Sequence, residues 1–123
     1  METEHNIILV AKDKDFRVGM RALLEPLGFT IHSRESLERV LQFLEVREAD
    51  LIISDYEVGG GTALDLISQI RDPKNFFSNI PIFMVGEGKN ADMCVEAFEK
   101  GASEYSNKPI NRKTFTARLE KIL

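Results

Sequence analysis

Leu51-Ile52-Ile53-Ser54-Asp55 sets three consecutive aliphatic residues ahead of a hydroxyl and an acid. Consecutive apolar positions, rather than alternating ones, fit a strand buried on both faces, as in a parallel sheet covered by helices. The acid falls where such a strand runs out. Upstream, Ile7-Ile8-Leu9-Val10-Ala11 has the same character, and downstream Ile80-Pro81-Ile82-Phe83-Met84-Val85 repeats it, with Pro81 tolerable near a strand start. Glu104-Tyr105-Ser106-Asn107 is a weaker example. Phe29-Thr30-Ile31-His32-Ser33 alternates instead, which predicts a strand near a sheet edge with one wetter face.

Between these runs the period becomes helical. Phe16, Met20, Leu23, Leu24 and Leu27 form one stripe, stopped by Gly28. Ser36 is placed to cap a helix with Leu37, Val40, Leu41 and Leu44 inward. Thr62-Ala63-Leu64-Asp65 reads as a capped start, followed by Leu66, Ile67 and Ile70 on one face. Asn90 and Asn111 would cap two further helices. Their inward faces read Cys94, Ala97 and Phe98, then Phe115, Leu119, Ile122 and Leu123. Met20, Met84 and Met93 read as packing residues, and Gly59-Gly60-Gly61 as a flexible connector.

Five strand–helix units in alternation predict an α/β fold: a flavodoxin-like (βα)5 three-layer sandwich with parallel strand order 2-1-3-4-5. Residues 1–123 are expected to be a single domain, a length that five units use up. The balance of 16 basic and 20 acidic side chains, net −4, argues against a nucleic-acid-binding surface. No apolar run is long enough to cross a membrane, and Met1 to Asn6 is too polar for a signal peptide. A lone Cys94 excludes an internal disulfide and a multi-cysteine zinc site. A cytoplasmic location is the expectation.

In that strand order the carboxyl ends of strands 1 and 3 flank the switch point, where chemistry collects. The loops meeting there are Ala11-Lys12-Asp13-Lys14-Asp15, Asp55-Tyr56-Glu57, Gly86-Glu87-Gly88-Lys89 and Lys108-Pro109. A carboxylate at a strand end can attack a phosphoryl group, and a nearby ammonium can balance the charge developing on the phosphoryl oxygens. A cis bond at Lys108-Pro109 is one of the two available isomers.

The combination of Ile7 to Val10, Leu51 to Asp55, Ile80 to Val85, Gly101-Ala102-Ser103-Glu104-Tyr105 and Lys108-Pro109 resembles the receiver domain of two-component response regulators. It is similar to the chemotaxis-regulator type over nearly the whole chain. The resemblance implies a signal-transduction module of a phosphorelay rather than a metabolic enzyme. It implies Asp55 as the acid phosphorylated by a histidine kinase or phosphotransfer protein, Lys108 as the phosphate-contacting lysine and Tyr105 as the aromatic switch residue. It also implies a partner protein or a second copy docking on the face of helix 4, strand 5 and helix 5.

Three departures from the family pattern bear on the chemistry. Two acids that help hold magnesium are expected after strand 1, where Ala11 and Lys12 stand. A Thr or Ser is expected where Gly86 stands, and a Met-Pro then Asp-Gly loop where Val58 to Ala63 stand. Magnesium needs hard oxygen ligands in an octahedron. Only Asp13, Asp55 and the backbone carbonyl of Glu57 remain for a weak site. An ammonium at Lys12 beside Asp55 would form an ion pair, lower the carboxylate's pKa and stand in for the metal charge. The expectation is an atypical receiver with weak or absent magnesium-dependent phosphorylation, working by protein–protein interaction. The alternative is a functional phospho-acceptor.

Readings from other classes have thinner support. Asp13-Lys14-Asp15 resembles the nucleophile motif of haloacid-dehalogenase phosphatases, but its first acid falls two residues beyond the apolar run. A flavin-binding module rests on fold analogy, and the acids after strand 1 oppose it.

Overall fold

Five parallel strands form one sheet in the computed structural model, which describes residues 5–88 and 90–123. Lys89 and most of the Met1–Asn6 stretch lie outside the described residues. The strands are β1 (Asn6–Val10), β2 (Thr30–Arg34), β3 (Leu51–Asp55), β4 (Ile82–Gly86) and β5 (Glu104–Asn107). Their order is β2-β1-β3-β4-β5, as the sequence predicts. The helices are α1 (Lys14–Leu24), α2 (Leu37–Val46), α3 (Ala63–Ile70), α4 (Ala91–Lys100) and α5 (Arg112–Ile122).

Successive side chains of a strand point to opposite faces, so the consecutive apolar runs feed two cores. On one face Ile8, Val10, Ile52, Ile82 and Met84 pack beneath α2, α3 and α4, through residues such as Val40, Leu44, Leu66, Ile67 and Ala97. On the other face Ile7, Leu9, Ile53, Phe83 and Val85 meet Met20 and Leu24 of α1 and Phe115 and Leu119 of α5. The Phe83 and Phe115 rings lie 4.6 Å apart between centroids. Each such fully buried side chain contributes about 1.5–3 kcal/mol relative to exposure. β2, at the edge, is the partly wet strand that its alternation predicts.

The polar caps fall where short oxygen side chains precede the helical periods. Ser36, Asn90 and Asn111 each accept an N–H from the first turn of α2, α4 and α5. Thr62 and Asp65 complete a capping box at α3. Asp13 caps α1, its Oδ1 accepting from the Asp15 N–H at 2.9 Å.

Several local expectations need correction. The first helix stops at Leu24 and tightens into a 3-10 turn over Glu25–Leu27, because Pro26 has no N–H to continue it. Leu27 is therefore half exposed, while Gly28 ends the segment at φ 98°. Phe98 is 45% exposed, because α4 meets the core through Ala97 and the half-buried Met93 and Cys94. Leu123 follows the last turn of α5 and is partly exposed. β4 begins two residues later than its apolar run, at Ile82.

The glycine triplet is not a flexible connector. Glu57–Val58 pairs antiparallel with Gly61–Thr62 around it. The Gly59 N–H donates to the Glu35 carbonyl at 2.8 Å, and its own carbonyl accepts from the Leu37 N–H at 3.0 Å. A Cβ at Gly59 would stand 2.9 Å from that of Ser36, so the close approach of these two segments needs glycine there. The α2 entry thereby fixes the loop beyond Asp55.

Candidate functional site

Parallel pairing carries Asp55 to the end of β3, in register with Val85 of β4, which is itself opposite Ser106 of β5. The residues that follow these strands are therefore brought together. Asp55 Oδ1 accepts from Lys108 Nζ at 2.8 Å and from the Tyr56 N–H at 2.8 Å. Lys108 Nζ also lies 3.0 Å from Glu87 Oε1 and 4.8 Å from the centre of the Phe16 ring. The Lys108 N–H donates to the Gly86 carbonyl at 3.1 Å, and the Lys108-Pro109 bond is cis. Lys12, Asp13, Asp55, Glu57, Glu87 and Lys108 line a cleft of about 320 Å³.

The Asp55 carboxylate is only 2% exposed. Burial pushes its pKa above the ordinary carboxylate value, and Glu87 adds to the rise. The Lys108 ammonium and the Tyr56 N–H act the other way without reversing it. For Lys108, burial lowers the pKa, but Asp55 and Glu87 together outweigh it and the net direction is up. A lysine answering two carboxylates is thus held charged, while the more deeply buried acid is the strained partner.

This corrects the reading of Lys12. The ion-pair partner of Asp55 is Lys108, and the Asp55 pKa is raised rather than lowered, because desolvation is the larger effect. Among the described residues Lys12 forms no ion pair. Its N–H donates to the Glu57 carbonyl at 3.1 Å. Arg17 Nη1 holds the segment, donating to the carbonyls of Ala11 at 2.7 Å and Lys12 at 3.0 Å.

Part of the oxygen set expected for magnesium is engaged within the chain. Asp13 Oδ1 caps α1, Asp55 Oδ1 is held by Lys108, and the Glu57 carbonyl accepts the Lys12 N–H. Among the described residues no three His, Cys, Asp or Glu side chains are grouped to hold a metal ion. Lys12 adds a positive charge to the cleft wall, where a cation would have to enter.

Gly86 and Tyr105 form a second linked pair. Tyr105 is 4% exposed, and its hydroxyl is buried without a hydrogen-bond partner among the described residues. A Cβ at position 86 would overlap that hydroxyl. The missing side chain at 86 is what leaves room for the inward ring. Burial raises the Tyr105 pKa, and Cys94 and Glu87 add to it. On the neighbouring outer face Val95 is 57% and Phe98 45% exposed.

Phe16 and Arg17 are site residues that the sequence reading missed, and Glu87 was placed in a site loop but given no role. Glu87 had a usable signal, since it follows Gly86 at a strand end. Phe16 and Arg17 had none, because a stripe residue and a helix-surface cation look alike in any such helix.

The family model for the response regulator receiver domain matches residues 7–120. The chain is 27% identical over 114 residues to the KDP operon transcriptional regulatory protein KdpE of Escherichia coli, covering 93% of this chain and 49% of that protein. It is 26% identical over 117 residues to the chemotaxis protein CheY of Pseudomonas aeruginosa, covering 94% of each. It thus spans about half of the first relative and nearly all of the second. Among solved structures, the chemotaxis response regulator CheY4 of Vibrio cholerae aligns with a TM-score of 0.87 at 21% identity, over 98% of this chain and 100% of that one. The receiver domain of a histidine kinase from Syntrophus aciditrophicus aligns with a TM-score of 0.85 at 20% identity, over 97% and 89%. At these identities the structural likeness is one of fold.

Two outcomes follow from the site. Because the Asp55 pKa is raised in the fold, the folded chain holds that proton more tightly than the unfolded one. Stability from this group is full below the ordinary carboxylate pKa and falls as pH rises through the folded value. Asp55→Asn keeps an oxygen for the Tyr56 N–H and removes the charge. Its urea midpoint is expected to exceed wild type at about pH 7, with the gain shrinking toward about pH 4; a lower midpoint at neutral pH contradicts the balance. Gly86→Ala is expected to expel the Tyr105 ring and cost about 1–3 kcal/mol. In a Tyr56→Phe background, acrylamide quenching of the remaining tyrosine should rise, whereas unchanged quenching with unchanged stability contradicts the steric link.

Proposed function

Because the chain belongs to the response regulator receiver domain family, we propose that it is an atypical receiver that signals by protein–protein interaction, with weak or absent phosphorylation at Asp55. Receiver domains are signalling modules of two-component systems and interact with histidine kinases and phosphotransfer proteins. Among the described residues no helix is long and apolar enough to cross a membrane.

One observation carries the reading: the cleft wall beside Asp55 has Lys12 where the resemblance leads one to expect an acid, and the nearby Asp13 uses its Oδ1 to cap α1. Phosphoryl transfer to a carboxylate requires positive charge that bridges acceptor and donor oxygens. A lysine supplies charge but makes no such bridge. The inward Tyr105 gives further support. In a switching receiver this ring responds to the phosphorylated site, whereas here the missing side chain at Gly86 permits its inward position with no phosphoryl group. The face of α4, β5 and α5 is then available in one arrangement, with Val95 and Phe98 as apolar contacts for a partner protein or a second copy.

The second reading, a working phospho-acceptor, is favoured by the adjacency of Asp55 and Lys108. Intact-mass measurement after incubation with acetyl phosphate and millimolar magnesium separates the two. The atypical reading expects no phosphoryl adduct. An adduct that needs both Asp55 and magnesium overturns it and establishes the acceptor.

A further inference from the structure

A second crevice adjoins the Asp55 cleft, with Lys12 bordering both. It lies by the carboxyl ends of β1 and β2, has a volume of about 600 Å³, and carries Lys12, Arg34 and Arg39 on its walls. The chain as a whole has more acids than bases, 20 against 16, so three cations on one crevice run against its average. Among the described residues none of the three forms an ion pair. The one acid on the crevice, Glu35, lies 4.0 Å from Arg17.

Arg34 is already ordered. Its Nη1 donates to the Ser33 carbonyl at 2.7 Å, and its guanidinium carbon sits 5.2 Å from the centre of the Phe43 ring. A guanidinium held by one hydrogen bond and a ring keeps other N–H donors and loses little further freedom on meeting an anion. Arg39 lies in the first turn of α2, where the helix dipole has the same sign as the side chains. His32, on the same strand as Arg34, has its pKa lowered first by burial and then by Arg47, Arg34 and Arg21, of which Arg34 alone lines the crevice. The hydroxyls of Ser33 and Ser36 complete a polar lining.

We propose that this crevice binds a phosphate-bearing small molecule, with the guanidinium groups of Arg34 and Arg39 on the phosphoryl oxygens and Lys12 adding charge from the end of β1. Its volume lies in the range of ordinary small-molecule sites and exceeds what a lone phosphate fills, which favours a ligand of nucleotide size. Bidentate guanidinium contacts suit phosphate oxygens better than they suit a monovalent halide. The assignment is independent of whether Asp55 is phosphorylated.

Amide NMR titrations of the full chain with ATP and with inorganic pyrophosphate, at fixed ionic strength, test it. Saturable shifts confined to Lys12 and the 33–39 segment are expected with at least one probe. The tighter probe tells a nucleotide from a bare phosphate anion. Arg34→Gln with Arg39→Gln should weaken binding by about tenfold or more, while Lys113→Gln with Lys121→Gln on α5 should leave it unchanged. Dispersion of the remaining signals reports that each variant is folded, and Lys12→Gln supplies a separate, milder loss. Shifts spread over all surface cations, saturation with neither probe, or equal binding by the Arg34/Arg39 double variant overturns the assignment.

Discussion

A carboxylate taken almost wholly out of water at the end of the central strand is the constraint around which the site is arranged. An unpaired charge at Asp55 would be prohibitively costly there, so a cation has to answer it. In this chain that cation is Lys108, brought in by β5 and steadied by Glu87 and the Phe16 ring. The pairing offsets the burial only in part, which is why the Asp55 pKa still goes up. Lys12 stands on the wall of the same cleft, and Asp13 Oδ1 caps α1.

The consequences reach the outer face through Gly86. That residue follows Val85, the register partner of Asp55, and its missing Cβ leaves the space that the Tyr105 hydroxyl fills. Tyr105 in turn lies on β5, beside the α4 surface where Val95 and Phe98 are exposed. Two substitutions of ordinary receiver residues, the lysine at 12 and the glycine at 86, therefore point the same way. In the proposed reading, one alters what the acid can bind and the other lets the ring lie inward without a phosphoryl group.

The layered architecture was legible because its cause is local and repeated. Leu51 to Ile53 and Ile7 to Val10 are apolar on consecutive positions, a pattern that suits a strand with a core on each side. The caps were legible for the same reason, since Ser36, Thr62, Asn90 and Asn111 act within one turn of their own position. Errors arose where the outcome depends on distant partners. Ala97 and Phe98 both lie about one turn after Cys94, yet only the placement of α4 decides which of them the core receives. The glycine triplet gives no hint that Glu35 and Leu37 would tie it down. At the site, position identified Asp55 and Lys108, but Lys12 and Lys108 are equivalent in sequence as cations near a strand end. Only the geometry decides that Lys108 takes the carboxylate.

The central proposal is that this cleft, with Lys12 on its wall and Lys108 on Asp55, takes up no divalent metal. Calorimetric titration of magnesium chloride into the full chain at neutral pH measures this directly. The account predicts no saturable binding through the millimolar range. Saturable binding in that range or tighter, lost on Asp55→Asn, would contradict it.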